Sequence, residues 1–206
     1  MKDIQDELVF PKERLVFLCD GIFSITMTLM ILDLKAPENI PRSLASEELP
    51  SALFNLLPSI EAYVLSFFIL GIFWARHQLM FNFFESVDRV MIMLNLLFLL
   101  LIGFVPFTVS LKKDYPHVQF PFIIYVSNLI LISLILSIQW EYALKNKFIL
   151  KDELSPLLKK RFLYMSVMPV AIFVFAFIVS FYQVRLAFLI IYLLPIFYLL
   201  SKKIVK

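Results

Sequence analysis

The sequence predicts an all-α protein that crosses a membrane several times, on three observations: its composition, the continuity of its apolar runs and the spacing of its polar breaks. Of 206 residues, 61% are hydrophobic and 17% charged, and the mean hydropathy is +0.88. That is more apolar surface than a soluble core of this length can bury. In lipid the backbone must satisfy its own hydrogen bonds, which leaves helices or a closed barrel. The runs here are continuous rather than alternating, so helices are expected.

A span needs about 20 mainly apolar residues to cross a hydrocarbon layer of about 30 Å. Six segments meet or approach that length: Leu15 to Leu34, Phe54 to Trp74, Val90 to Leu111, Phe120 to Trp140, Phe162 to Tyr182 and Leu186 to Leu200. The sixth is the shortest. Pro37 and Pro41, Pro116, and the charged stretch from Lys145 to Arg161 with Pro156 separate the runs. Pro106, Pro169 and Pro195 are expected at kinks or helix ends. No connection is long enough for a second domain and no internal repeat divides the chain. Residues 1–206 are therefore expected to form one six-helix transmembrane unit.

Basic residues in the connections set the orientation. Of the 19 Lys and Arg, 14 fall on the side of the two termini, and the other five are Lys35, Arg42, Lys112, Lys113 and Arg185. Both termini are thus expected in the cytoplasm, which agrees with an even number of spans. The N-terminal lead is mixed in sign and the run after it is long and contains Asp20, so it reads as a retained helix and not a cleaved signal. A net charge of +3 and a pI near 8.9 would suit nucleic acid. Loops lying beside anionic lipid account for the same residues, and lipid is the expected partner. The segment Lys159-Lys160-Arg161 reads most simply as a stop at the membrane surface. One cysteine, Cys19, rules out an intramolecular disulfide and a thiolate-rich zinc cluster, and no metal site or cofactor is expected.

The informative segment runs from Arg14 to Asp33, where ionisable residues enter an otherwise apolar first helix. A carboxylate deep in a membrane costs about 2.5 to 3.5 kcal/mol on insertion scales unless it is paired, so Asp20 needs a partner. Arg14 lies six residues away, on another helix face, so each is expected to reach a neighbouring helix. Trp74 and His77 share a face of the second helix, and Asp88 and Asn95 share a face of the third. Together these groups can converge on one hydrogen-bonded network at the cytoplasmic end. For Asp20 a packing anchor is the commoner role and a proton carrier or ion ligand the rarer one. His77 and Trp74 taken singly are ordinary interfacial residues.

Leu18, Ile25, Leu29 and Leu32 form a stripe along the same helix, with Thr28 at its edge. The stripe either packs against other helices, the default for one apolar face, or meets its copies at an axis and makes stacked apolar constrictions. Constrictions of that kind control permeation by dewetting.

With these residues the chain resembles the bacterial and archaeal relatives of the lysosomal potassium channel called transmembrane protein 175. The family's mark is Arg, three variable residues, then Phe-Ser-Asp, followed by Gly and an Ile/Leu/Thr-rich run ending in Leu-Asp. Arg14, Asp20, Gly21, Thr28, Leu29, Leu32 and Asp33 stand in that register. Leu18 and Cys19 occupy the Phe and Ser positions. The resemblance continues through Trp74 and His77, Asp88, Asn95 and the pair Pro106-Phe107, and is strongest over residues 14–107.

The resemblance implies a non-enzymatic, potassium-permeable cation channel, homotetrameric, in a prokaryotic plasma membrane. Its pore would be lined by the first helix, with no re-entrant filter loop. The chain's glycines, Gly21, Gly71 and Gly103, form no TVGYG-like loop. By position Ile25, Leu29 and Leu32 would ring the axis with the Thr28 hydroxyl nearby, and potassium with other monovalent cations are the expected permeant ions. Arg14, Asp20, Trp74, His77 and Asn95 would form the supporting network. Cys19 is a poorer donor than Ser, and Phe17 is expected to compensate in part for Leu18. Asp33 and Lys35, at the outer end of the first helix, either act on cations at a pore mouth or simply form a solvated helix end. Two other classes fit the sequence less well. A secondary or proton-coupled transporter titrating Asp20 and His77 lacks an inverted repeat and paired broken helices. An intramembrane enzyme lacks a nucleophile with a base beside it in sequence, and His117 reads as a connector residue.

Overall fold

The computed structural model describes residues 10–37, 40, 41, 43–146 and 155–201, and for residues 156–161 and 199–201 it describes the backbone alone. Arg42, the N-terminal lead, the C-terminal lysines and the side chains of Lys159, Lys160 and Arg161 lie outside the described residues. Helix α1 spans Glu13–Leu29 and tightens into a 3₁₀ turn, Met30–Asp33. There follow α2 (Ala45–Phe81), α3 (Arg89–Asp114), α4 (Gln119–Lys145), α5 (Pro156–Val179), α6 (Val184–Ile191) and α7 (Leu193–Ser201). Among the described residues the one extended pairing is an isolated bridge between Phe10 and Val87.

Five helical stretches are long and apolar enough to cross a membrane: Glu13–Asp33, Ala45–Phe81, Arg89–Asp114, Gln119–Lys145 and Phe162–Val179. The protein is an all-α, polytopic membrane protein, as the sequence predicts. The sixth apolar segment differs in form from the single helix expected. It is two short helices, α6 and α7, that meet at Tyr192. Pro195 explains the break: it has no N–H for the carbonyl of Ile191 four residues earlier, and its ring clashes with that carbonyl. Helix α2 is the other departure. At 37 residues it is about 55 Å long at 1.5 Å per residue, well beyond one bilayer, because its polar ends continue the helix past the apolar run.

The helices α1, α3, α4 and α5 follow one another as packed neighbours, with α2 against α1, α3 and α7. The connection from α3 to α4 and that from α5 to α6 are short, so these helices run antiparallel. The core is aromatic: Phe23, Phe73, Phe81, Phe84, Phe98, Phe122, Phe173 and Trp140 are all almost wholly buried.

Polar groups pin the bundle at both ends. The Phe10 N–H donates to the Val87 carbonyl at 2.7 Å and the Val87 N–H returns to Phe10 at 3.0 Å. Lys12 Nζ donates to the Phe81 carbonyl at 2.7 Å, placing a cation on orphan carbonyls at the C-terminus of α2. These contacts bring the start of α1, the end of α2 and the start of α3 to one end of the bundle. At the other end Lys113 Nζ donates to the Asp33 carbonyl at 3.0 Å, and Tyr192 donates its hydroxyl to Glu61 Oε1 at 2.6 Å.

Asp88 is the N-cap of α3: its backbone is extended and its Oδ1 accepts from the Met91 N–H at 2.8 Å. Its second oxygen accepts from the Tyr142 hydroxyl of α4. Asp88→Ala should therefore cost about 1 to 2 kcal/mol, read as a lowered thermal midpoint of the purified protein in detergent. Tyr142→Phe should cost less, because the cap survives it.

Candidate functional site

Asp20 is half-buried on α1 and faces two residues of α2 one helical turn apart. Trp74 donates Nε1–H to Asp20 Oδ1 at 2.7 Å, and Gln78 donates its side-chain amide to the same oxygen. Two donors on one carboxylate oxygen supply what lipid cannot.

One residue earlier, Cys19 turns inward and is wholly buried. Asn95 of α3 donates Nδ2–H to Cys19 Sγ at 3.1 Å. The Asn95 carbonyl oxygen accepts from His77 Nε2 at 2.8 Å and from Gln139 Nε2 of α4 at 3.5 Å. The thiol also stands 3.6 Å from His77 Nε2. His77 is held flat between two rings, with Phe81 at 4.1 Å and Phe98 at 5.3 Å between centroids. Four helices thus meet on Asn95, which uses both its donor and its acceptor to join them.

Not every polar residue singled out in the sequence joins this cluster. Arg14 is exposed and makes no ion pair or hydrogen bond with another described residue, so the expected network is built without it. Asp88 belongs to the α3 cap and to Tyr142, a separate contact. Phe17 is 73% exposed and points away from the packed face, so it does not fill in for an aromatic ring at Leu18. Neither does the Cys19–His77 pair offer chemistry to a substrate, since both side chains are sealed at 0% exposure. Among the described residues no three of His, Cys, Asp and Glu gather to hold a metal ion.

Sequence reasoning missed Gln78, Gln139 and Tyr142. Each had a signal. Gln78 is one turn from Trp74 on the same face, and Gln139 is an amide near the end of a long apolar run, where an unpaired polar group is costly. Tyr142 follows Gln139 by three positions, so it reaches the same neighbour.

The other face of α1 is bare. Leu18, Ile25, Leu29 and Leu32 are 43%, 59%, 48% and 70% exposed, and Gly21, Ser24 and Thr28 are exposed between them. Ser24 donates its hydroxyl to the Asp20 carbonyl at 2.7 Å and Thr28 donates to the Ser24 carbonyl at 2.8 Å. With the hydrogens directed to backbone, the oxygen lone pairs are left facing outward.

The fold and site define a helical, multi-pass membrane protein in which one helix is held to two others, and through Asn95 to a third, by polar side chains, while its opposite face has no partner among the described residues. Residues 14–106 match the family model described as the endosomal/lysosomal potassium channel TMEM175. Over that stretch, a little under half of its length, the chain is similar to the TMEM175 family.

A potassium channel of Streptomyces collinus is 37% identical over 100 residues, which are 47% of this chain and 45% of that one. The endosomal/lysosomal proton channel TMEM175 of Gallus gallus is 28% identical over 194 residues, 92% of this chain and 38% of that one. The chain thus spans less than half the length of these relatives. The crystal structure of a lysosomal potassium-selective channel TMEM175 homolog from Chamaesiphon minutus has the same fold, with a TM-score of 0.75 at 24% identity over 92% of this chain and 97% of that one.

Replacing Cys19 by Val leaves the Asn95 amide without its acceptor and should destabilise the protein by about 1 to 3 kcal/mol. Cys19→Ser should stay within about 1 kcal/mol of the parent. Thermal unfolding in detergent checks both, and a bulky maleimide should fail to label native Cys19.

Proposed function

We propose that this chain is a subunit of a homotetrameric, potassium-permeable cation channel whose pore is lined by α1, with an apolar constriction in place of a re-entrant filter loop. One observation carries the reading: the exposed stripe of α1. Leu18, Gly21, Ile25, Thr28 and Leu32 recur at intervals of three and four, the spacing by which helices meet around a common axis. A lipid-facing stripe is predominantly apolar. This one also presents the Ser24 and Thr28 oxygens with free lone pairs, which suits a path for a cation losing part of its water.

In this reading Ile25, Leu29 and Leu32 form rings that a hydrated ion passes only by shedding water, and Thr28 supplies oxygen between them. Potassium releases water more readily than sodium, so a potassium preference follows. The Cys19, Asp20, Trp74, His77 and Asn95 contacts hold the helix in position and do not touch the ion. The neighbours of the chain in sequence support the permeant ion, since the Streptomyces collinus relative is described as a potassium channel. The Gallus gallus relative is described as a proton channel, which favours testing proton passage through the same pore. Both termini would face the cytoplasm, at the end that holds the start of α1.

Purified protein reconstituted in liposomes with a potassium gradient should pass potassium faster than sodium when the opposing charge is released by a protonophore. Ile25→Ala and Leu29→Ala should each change the flux and lower the potassium-to-sodium ratio. Unchanged currents in both variants would overturn the assignment of α1 to the pore. Saturable uptake coupled to protons would favour a carrier instead. In detergent, cross-linking or mass measurement should give four subunits.

A further inference from the structure

Arg76 is the most unusual residue of the bundle. The sequence counts it among the basic residues of the connection between the second and third helices, yet it lies within α2 and is only 6% exposed. A guanidinium stays charged in proteins, and burying a charge without a partner is expensive. Among the described residues Arg76 makes no hydrogen bond, and the one ion pair is Lys113 with Asp114 at 3.5 Å. Its NH1 group is buried without a partner among the described residues.

A second orphan donor lies beside it. Trp140 of α4 is 2% exposed and its Nε1–H has no acceptor among the described residues. Both residues line one partly enclosed cavity between α2, α4 and α5, with Ser166 supplying a hydroxyl and Leu136 and Phe162 forming apolar walls. The Phe162 ring stacks on Trp140 at 4.0 Å, which fixes the indole edge. The cavity leaves about 10 Å³ for the centre of a water-sized sphere, room for one atom. Three donor-bearing residues, one of them a permanent cation, thus line space for a single small group.

We infer that this cavity is an anion site that takes one phosphate oxygen, delivered by a phospholipid headgroup or by free inorganic phosphate. A neutral water would satisfy the donors and leave the charge uncompensated, whereas an anionic oxygen does both. A single anionic oxygen on NH1 makes a charge-assisted hydrogen bond, stronger than one to a neutral acceptor. The site lies at the end of α2 that carries Trp74 and Gln78, near the boundary where headgroups sit. It does not involve the exposed stripe of α1, so it stands or falls apart from the pore reading.

The test uses the full chain, purified in a maltoside detergent that carries no phosphate, and follows the thermal midpoint. One arm adds inorganic phosphate against gluconate at fixed ionic strength, and the other adds short-chain phosphatidylglycerol against a neutral diacylglycerol. The parent should rise saturably in at least one arm. Response to the lipid alone assigns the headgroup as the source, and response to both assigns free phosphate as a sufficient ligand. Trp140→Phe keeps the ring and loses one donor, so it should shift the half-saturation about tenfold higher. Arg76→Gln should abolish the response. Should Arg76→Gln fail to fold, Trp140→Phe still decides. No rise in the parent, or equal rises in the parent and Trp140→Phe, would overturn the assignment.

Discussion

The structure depends on how a membrane-spanning helix accommodates polar side chains. Cys19 and Asp20 sit side by side on α1, and neither can be left unpaired in an apolar bundle. Their donors come from Trp74 and Gln78 on α2 and from Asn95 on α3, with Gln139 of α4 joined through the Asn95 carbonyl. Because each hydrogen bond is directional, satisfying them fixes the rotation and height of α1 against three other helices at once. Apolar packing alone would leave more registers open, since lipid tails and leucines are nearly equivalent neighbours.

Fixing that rotation decides which face of α1 is left over. Phe23 and Met30 go inward with Cys19, at 2%, 2% and 0% exposure. Ile25, Thr28 and Leu32 go outward. Two properties of the helix, its anchor and its bare stripe, are therefore one property seen from opposite sides. Substituting a residue of the anchor would turn or tilt the stripe, so the two cannot vary independently. The same end of the bundle is further tied by Lys12 on the α2 carbonyls and by the Asp88 cap, which keeps the cluster from fraying toward water.

Much of this was legible in particular residues. Asp20 announced itself as a carboxylate in an apolar run, and Trp74, His77 and Asn95 were identified by shared faces and by their resemblance to the family. Arg14 was not resolved, because spacing along one helix says where a side chain starts and not whether another helix comes within reach. Gln78 and Gln139 escaped notice for the converse reason: a glutamine in an apolar helix is ambiguous until its partner is known. Arg76 was misread as a loop residue, because a basic residue near a helix end ordinarily reaches water, and here α4 and α5 close over it.

The sequence by itself determined the class of the protein: continuous apolar runs long enough to cross a bilayer force helices, since no other open structure satisfies the backbone in lipid. It marked Pro195 as a kink or helix end but not that the helix breaks there, since Pro106 and Pro169 lie inside continuous helices. Only the tertiary structure decided which donors reach Asp20, which face of α1 stays bare and that Arg76 is enclosed. Those outcomes depend on contacts between residues far apart in the chain, whose distances are set by helix packing and not by spacing along any single helix.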